Sequence, residues 1–146
     1  MPTTAQELLG IGAAAARAGV SERALRYYQQ IGLLVPARTT GGLRRYSEED
    51  LARVARIREL QTLLGLNLDE IAVVLRNEDR IAQIRLSYHD ERTSEAQRRE
   101  LTRECLTLAE DLRVTVQAKR DALDEFLTDL DARIGKARAL LAGQPA

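Results

Sequence analysis

The sequence is poor in the residues that bind metals or cross-link chains. It contains one cysteine, one histidine and no tryptophan among 146 residues. Because Cys105 is alone, an intrachain disulfide and a Cys-x-x-Cys metal clip are both excluded. His89 has no companion ligand near it in the sequence. We therefore predict no metal site within one chain and no bound cofactor.

Long apolar runs and catalytic groupings are also missing. No apolar run approaches the roughly 20 residues that cross a bilayer, and no signal-peptide pattern is visible. Three observations argue against catalysis. The chain has a single histidine, it lacks a glycine-rich phosphate loop, and it lacks a carboxylate pair with a reason to be buried. We expect a cytoplasmic protein that is not an enzyme.

Proline is scarce, and its positions leave most of the chain free to form helices. The three prolines are Pro2, Pro36 and Pro145, so no proline interrupts a helix between residues 37 and 144. Alanine and leucine, rather than aromatic residues, supply most of the apolar side chains. This composition favours helices packed on helices, and we predict a mainly α fold.

Neither sign of charge dominates the whole chain, but the charges are unevenly distributed. Residues 17–58 contain nine arginines and four acidic residues, whereas residues 77–146 contain 12 basic and 14 acidic residues. The positive field therefore belongs to the N-terminal part, where it favours a nucleic-acid partner. Arginine is suited to contacts with phosphates and guanine edges, but its preference over lysine continues into the acidic C-terminal part and is better explained by a GC-rich genome.

Two short helices are predicted near the N-terminus, and a loosely held arm at residues 1–10 precedes them. The first runs through residues 13–17 and is ended by Gly19. Ser21 stands at the N-cap position of the second, which Gly32 ends. Two helices joined by a few residues that include a glycine are typical of a helix-turn-helix.

A small β-hairpin is predicted next. Residues 33–35 form a short apolar run, Pro36 favours extended backbone, and residues 43–46 return as a second strand. Residues 39–42, Thr-Thr-Gly-Gly, supply the turn. The hairpin has a glycine-rich tip and basic flanks, which is the form of a wing.

Two further helices are predicted before the chain becomes harder to interpret. Ser47 and the three acidic residues after it are a helix start, and apolar residues keep helical spacing up to Gly65. A second, short helix is capped near Asn67 and ends near Arg76. Apolar residues are sparse over residues 77–92, which we predict to be a connector; residues 77–79 open either a short helix or a linker there.

The C-terminal part predicts one long helix that needs a partner. Either Thr93 or Ser94 is the N-cap of this helix, with Gln97 completing a capping box from Ser94, and no glycine follows until Gly135. The apolar positions average about 3.6 residues per step, and such a helix is about 70 Å long. The domain before it is too small to cover this stripe, so a second copy is the simplest partner. The predicted dimerisation residues are Leu101, Cys105, Leu108, Leu112, Val116, Leu123, Phe126, Leu130 and Ile134.

The order and spacing of several motifs resemble the DNA-binding domain of the MerR family. They are Gly19-Val20-Ser21, Leu25-Arg26-Tyr27-Tyr28, Ile31-Gly32-Leu33-Leu34, Arg44-x-Tyr46-Ser47 and Leu68-Asp69-Glu70-Ile71. The resemblance covers about residues 9–76. It implies a winged helix-turn-helix at 1–76, a connector at 77–92, a dimerisation helix at 93–142 that pairs as an antiparallel coiled coil, and a tail at 143–146.

The resemblance also implies which residues contact DNA. Residues 21–28 would be the recognition helix, with Arg23 at base edges and Arg26 and Tyr27 at phosphates; Arg44 and Tyr46 of the wing would grip flanking phosphates. The full predicted set is Ser21, Arg23, Arg26, Tyr27, Tyr28, Arg38, Gly42, Arg44 and Tyr46. Alternatives to DNA contact stay open for some of these arginines and tyrosines. Tyr28 would be a core residue, Arg38 a plain surface residue, and the neighbouring Arg45 would face solvent. Leu43 departs from the aromatic residue usual in the family's wing.

The function that the resemblance implies is a homodimeric transcription regulator on near-palindromic promoter DNA. Such a regulator acts indirectly on RNA polymerase, by bending and untwisting the promoter spacer. The alternative is a coiled-coil interaction protein with little direct DNA binding. Three choices of effector stay open: a small molecule between connector and dimer helix, a protein partner, or none. Cys105 is interpreted as a small buried hydrophobe, with a thiol sensor or a ligand of an intersubunit metal site as alternatives.

Overall fold

The computed structural model describes residues 7–145 and divides the chain into two compact units, residues 1–76 and 77–146. The described part is mostly helical. It contains one two-stranded sheet and ends in a long C-terminal helix. The predicted mainly α class, with a winged helix-turn-helix and a long last helix, is confirmed.

The helix-turn-helix consists of α1 (Ile11–Ala18) and α2 (Glu22–Gln30). Gly19 ends α1 with a positive φ of 67°, a conformation that glycine adopts without steric cost. The guanidinium of Arg58 donates a hydrogen bond of 2.6 Å to the carbonyl of this glycine. The Ser21 hydroxyl accepts a hydrogen bond of 3.0 Å from the amide of Ala24 and so caps α2. Local sequence therefore sets both helix ends of this turn.

The wing is shorter than the sequence suggests. Strands β1 (Ala37–Arg38) and β2 (Arg44–Arg45) pair antiparallel, with Arg38 opposite Arg44. The predicted first strand at 33–35 is wrong because Leu33 and Leu34 are buried in the core, at 3% and 1% exposure, and their amides donate to the carbonyl of Tyr28. Strand pairing starts only where the chain has left the core.

The segment before α1 is held to the base of the wing. The amide of Leu9 donates to the carbonyl of Tyr46 at 2.9 Å, and the amide of Tyr46 donates back at 2.8 Å. The prediction of a loose arm at residues 1–10 is therefore wrong at residue 9. Residues 1–6 of that predicted arm lie outside the described residues.

Helices α3 (Glu48–Leu64) and α4 (Leu68–Tyr88) follow, and the second is much longer than predicted. Its start is as expected, since the Asn67 side chain accepts from the amide of Glu70 at 2.9 Å. It does not end at Arg76 but covers most of the predicted connector. The reason is that neither glycine nor proline occurs between residues 66 and 134, and Ile84, at 3% exposure, extends its apolar face.

The first unit has a hydrophobic core, whereas the second has almost none. Fourteen of the fifteen buried apolar residues among those described belong to the first unit. They are Ala14, Ala15, Leu25, Tyr28, Leu33, Leu34, Tyr46, Val54, Ile57, Leu60, Leu66, Ile71, Val74 and Leu75. Because burial of a large apolar side chain contributes about 1.5–3 kcal/mol, this set is able to fix the helix-turn-helix and wing as one rigid body.

The second unit consists of the end of α4 and the 47-residue helix α5 (Glu95–Leu141). The capping box predicted for Ser94 and Gln97 is present. Arg80 binds Glu104 through two hydrogen bonds of 2.5 and 2.8 Å, which join the two helices. Within α5 no residue is buried. No helix of the described residues is long and apolar enough to span a membrane.

Candidate nucleic-acid interface

The exposed face of α2 carries the positive charge of the helix-turn-helix. Arg23, Arg26 and Tyr27 are exposed, whereas Leu25 is fully buried on the opposite face. Within residues 7–145, Arg23 makes no hydrogen bond or ion pair, so all five of its donors are available. Arg26 approaches the Glu22 carboxylate at 3.4 Å, a solvent-exposed pair that contributes little.

The wing presents two arginines from paired positions. Arg38 lies opposite Arg44 in the strand register. Arg38 is exposed, whereas Arg44 is half-buried, and the Nε of Arg44 has no hydrogen-bond partner among the described residues. A buried donor without a partner costs about 1–3 kcal/mol.

The recognition helix and the wing form a concave basic surface between them. Two adjoining cavities of about 560 and 520 Å³ share Arg26, Arg38 and Arg44, and Arg45 lines the larger one. We call these four residues the arginine cleft. Among the described residues, no acidic side chain lines either cavity. Guanidinium groups match phosphate oxygens with two parallel hydrogen bonds, so the cleft suits a polyanion.

Two of the three tyrosines predicted at the interface, Tyr28 and Tyr46, behave as core residues. Tyr46 is fully buried, and its hydroxyl accepts a hydrogen bond from the side-chain amide of Gln29. Its predicted phosphate grip is therefore corrected to a role in joining the wing to α2. Tyr28 is 6% exposed, in agreement with the alternative that placed it in the core. The family resemblance shows which positions correspond along the chain, but it does not show how far a side chain is buried.

Two other predicted contacts have evident structural roles. The Ser21 hydroxyl accepts the N-cap hydrogen bond, which engages part of its capacity. Gly42 has a φ of 80° in the wing turn, where its amide donates to the Thr39 carbonyl at 2.9 Å. A side chain at that φ is strained, so the glycine is needed for the turn whether or not DNA is bound.

Two residues of this region were missed from the sequence. Gln29 fixes Tyr46 across 17 positions, a tertiary contact that no local pattern reveals. Arg45 was expected to face solvent, but it is half-buried and lines the larger cavity of the cleft. Alternation along a strand is the signal that normally separates two faces, and a two-residue strand is too short to use it.

A comparison with known families decides the class of this domain. Residues 9–78 match the model of the MerR HTH family regulatory protein. Residues 9–78 of this chain are therefore a MerR family domain. This confirms the resemblance seen in the sequence, and the similar proteins are described as regulatory proteins.

The curated relatives share this MerR family domain with the chain. The mercuric resistance operon regulatory protein of Pseudomonas fluorescens is 47% identical over 74 residues, which cover 50% of this chain and 51% of the relative. The transcriptional activator TipA of Streptomyces coelicolor is 47% identical over 66 residues, 44% of this chain and 26% of the relative. The chain thus aligns with about half the length of the mercuric regulators it matches.

The fold of nearly the whole chain is shared with a solved MerR family structure. HiNmlR, described as a MerR family regulator lacking the sensor domain and bound to promoter DNA, is 24% identical with a TM-score of 0.53. The match covers 94% of this chain and 97% of HiNmlR. The likeness therefore extends past the helix-turn-helix to the long C-terminal helix.

Neither Cys105 nor His89 lies in a metal-binding group. Among the described residues, no cluster of three or more histidine, cysteine, aspartate or glutamate side chains has the arrangement to hold a metal ion. Cys105 is half-buried and lines a groove against Ile81 and Ile84 of α4.

Proposed function

We propose that this chain is a cytoplasmic, sequence-specific DNA-binding regulator of transcription that acts as a homodimer. The observation that carries the proposal is the arginine cleft beside the exposed Arg23 on α2. An α-helix fits the major groove of B-DNA, and flanking arginines fix its register by binding phosphates. HiNmlR, which shares the fold, was solved bound to promoter DNA.

We assign base readout to Arg23 and phosphate contacts to the neighbouring arginines. Arg23 is exposed near the N-terminal end of α2, where a side chain enters the groove, and it has no competing partner within residues 7–145. Arg26, Arg38 and Arg44 line both cavities of the cleft and would follow the sugar-phosphate backbone. Tyr27, at 47% exposure, is available to donate its hydroxyl to a phosphate.

Dimerisation is proposed through α5. Among the described residues of the second unit, Ile84 is the only buried apolar one, whereas Leu123, Phe126 and Ile134 are 66%, 59% and 45% exposed. Each such side chain contributes about 1.5–3 kcal/mol when buried, so a second copy on this face offers a large gain. In this arrangement the two helix-turn-helix units bind the two halves of a near-palindromic site.

Regulation is proposed to follow from distortion of the bound promoter, as the family resemblance implies. Two domains held at a fixed separation clamp the ends of the site, and bending 20–30 base pairs costs only about 1–6 kcal/mol. RNA polymerase would then respond to the realigned promoter without touching this chain.

The test is footprinting on the DNA upstream of the protein's own gene, combined with sedimentation. We expect a protected near-palindrome and a dimer at micromolar concentration, with probes of helical distortion reacting at the centre of the site. The absence of protection at moderate salt, or a monomer, contradicts the proposal. A stable heterodimer with no DNA protection would instead favour the coiled-coil interaction protein.

A further inference from the structure

We propose that a groove in the second unit is a binding site for a small amphipathic anion, such as an aromatic carboxylate. The groove lies between the C-terminal end of α4 and the N-terminal end of α5 and has a volume of about 260 Å³. We call it the connector groove. The proposal is independent of DNA binding, because every residue used below belongs to the second unit.

The connector groove has an apolar wall with a fixed shape. Ile81, Ile84 and Tyr88 of α4 form this wall, and Ile84 is 3% exposed. The Tyr88 ring is contacted by the guanidinium of Arg98, 5.8 Å from its centroid, and by the ring of His89 in an edge-to-face arrangement at 5.4 Å. Arg98 also donates a 3.0 Å hydrogen bond to the carbonyl of Tyr88. Preformed apolar walls are what small-molecule sites usually provide.

The groove also carries an arginine and a histidine that have no acidic partner among the described residues. Arg85 and His89 both line it, one helical turn apart, and neither forms an ion pair within the described chain. The nearby carboxylates are engaged elsewhere: Glu104 binds Arg80, and Asp90, which lies in an adjoining shallow concavity, binds Arg92.

The C-terminal end of α4 does not account for these two groups by itself. Arg85 and His89 are exposed, so water solvates them in the free protein, and the partial charge of the helix C-terminus occupies none of their side-chain donors. A ligand carboxylate would supply the acceptors, and two parallel hydrogen bonds from Arg85 would orient it. Charge complementarity therefore selects an anion, and the apolar wall selects one that has a hydrophobic body.

The size of the groove limits the ligand. Its volume of about 260 Å³ falls just below the range of about 300–1,000 Å³ typical of drug-sized ligands. Thr102 and Cys105 of α5 close the side opposite the isoleucines. A body of one or two rings, or a short branched chain, fits these limits.

The experiment compares an anion with its uncharged isostere on the full chain. The protein is titrated with 2-naphthoate and with 2-naphthamide by isothermal calorimetry, without DNA. Because charge-assisted hydrogen bonds are lost with the amide, we expect 2-naphthoate to bind at least about tenfold more tightly. The variants Arg85→Gln and His89→Gln should each weaken 2-naphthoate at least about fivefold and leave 2-naphthamide unchanged.

Arg113→Gln is the matched control, because this exposed arginine of α5 lies outside the groove. It should leave the affinity for 2-naphthoate unchanged. Amide chemical-shift changes should concentrate at Ile81, Tyr88 and Thr102. Absence of 2-naphthoate binding, equal binding of both compounds, or an equal loss in the Arg113 variant overturns the proposal. Since no DNA is present, these outcomes leave the proposed promoter binding untouched.

Discussion

Neutralising two wing arginines should change the salt dependence of DNA binding by a calculable amount. The perturbation is the double variant Arg38→Gln with Arg44→Gln, both in the arginine cleft. Each phosphate contact contributes about −0.9 to the slope of log K against log salt concentration on duplex DNA. Two lost contacts per subunit therefore lower the magnitude of the slope by about 1.8 per subunit, or about 3.6 per dimer.

The assay is fluorescence anisotropy with a labelled duplex that carries the footprinted site, repeated across a series of salt concentrations. A scrambled duplex of equal length is measured in parallel. The affinities for both duplexes should fall together, because phosphate contacts carry no sequence information. The control variant, Arg113→Gln with Arg133→Gln, removes the same charge from exposed positions of α5. Its slope should match that of the wild type.

Two results would refute the reasoning. An unchanged slope in the wing variant means that Arg38 and Arg44 do not neutralise phosphates, and an equal change in the α5 control means that net charge alone is responsible. Circular dichroism melting shows whether the half-buried Arg44 is needed for folding. If it is, Arg38→Gln alone should still lower the slope by about 0.9 per subunit.

Three further predictions concern dimerisation and stability. Phe126→Asp should convert the dimer to a monomer in sedimentation, and a dimer of undiminished strength would contradict the α5 interface. Tyr46→Phe removes the hydrogen bond from Gln29 and should lower the free energy of unfolding by about 1 kcal/mol in urea titration; no change would show that the bond contributes nothing. The hydrogen bond from Arg80 lowers the pKa of Glu104 in the folded protein. The stabilisation that this ion pair gives to the fold is therefore fully present above the ordinary pKa of the carboxyl, and it is lost as the pH falls through the lowered pKa. Glu104→Gln should therefore lower Tm at pH 7 but not at strongly acidic pH, and an equal decrease at both would refute this.

Local chemistry made the helix starts predictable. Ser21, Ser47 and Ser94 each cap the helix that follows, and each was identified from its own residue type and the residues just after it. A cap involves only three or four neighbouring residues, so sequence alone contains the information. Gly19 and Gly65 are likewise helix ends with positive φ, as expected of glycine.

Features that depend on distant contacts were not predictable in the same way. Tyr46 looked like an interface residue, but Gln29 on another element and the surrounding core decide its position. Residues 33–35 look like a strand, yet burial of Leu33 and Leu34 determines their backbone. The sparse apolar pattern after Arg76 also hid the continuation of α4, because single residues such as Ile84 are enough when nothing breaks the helix.

The contrast between a well-filled first unit and a second unit with a single buried apolar side chain bears on how the protein melts. If α5 is covered only by association, its unfolding is a two-molecule equilibrium, whose midpoint rises with total protein, while the first unit unfolds at one fixed temperature. Calorimetric scans at high and low protein concentration would then show two transitions. The midpoint of one would stay constant, and the midpoint of the other would rise with protein concentration. In a cell, the abundance of the regulator would set how much of it is assembled, and a promoter that holds two copies side by side would favour their pairing.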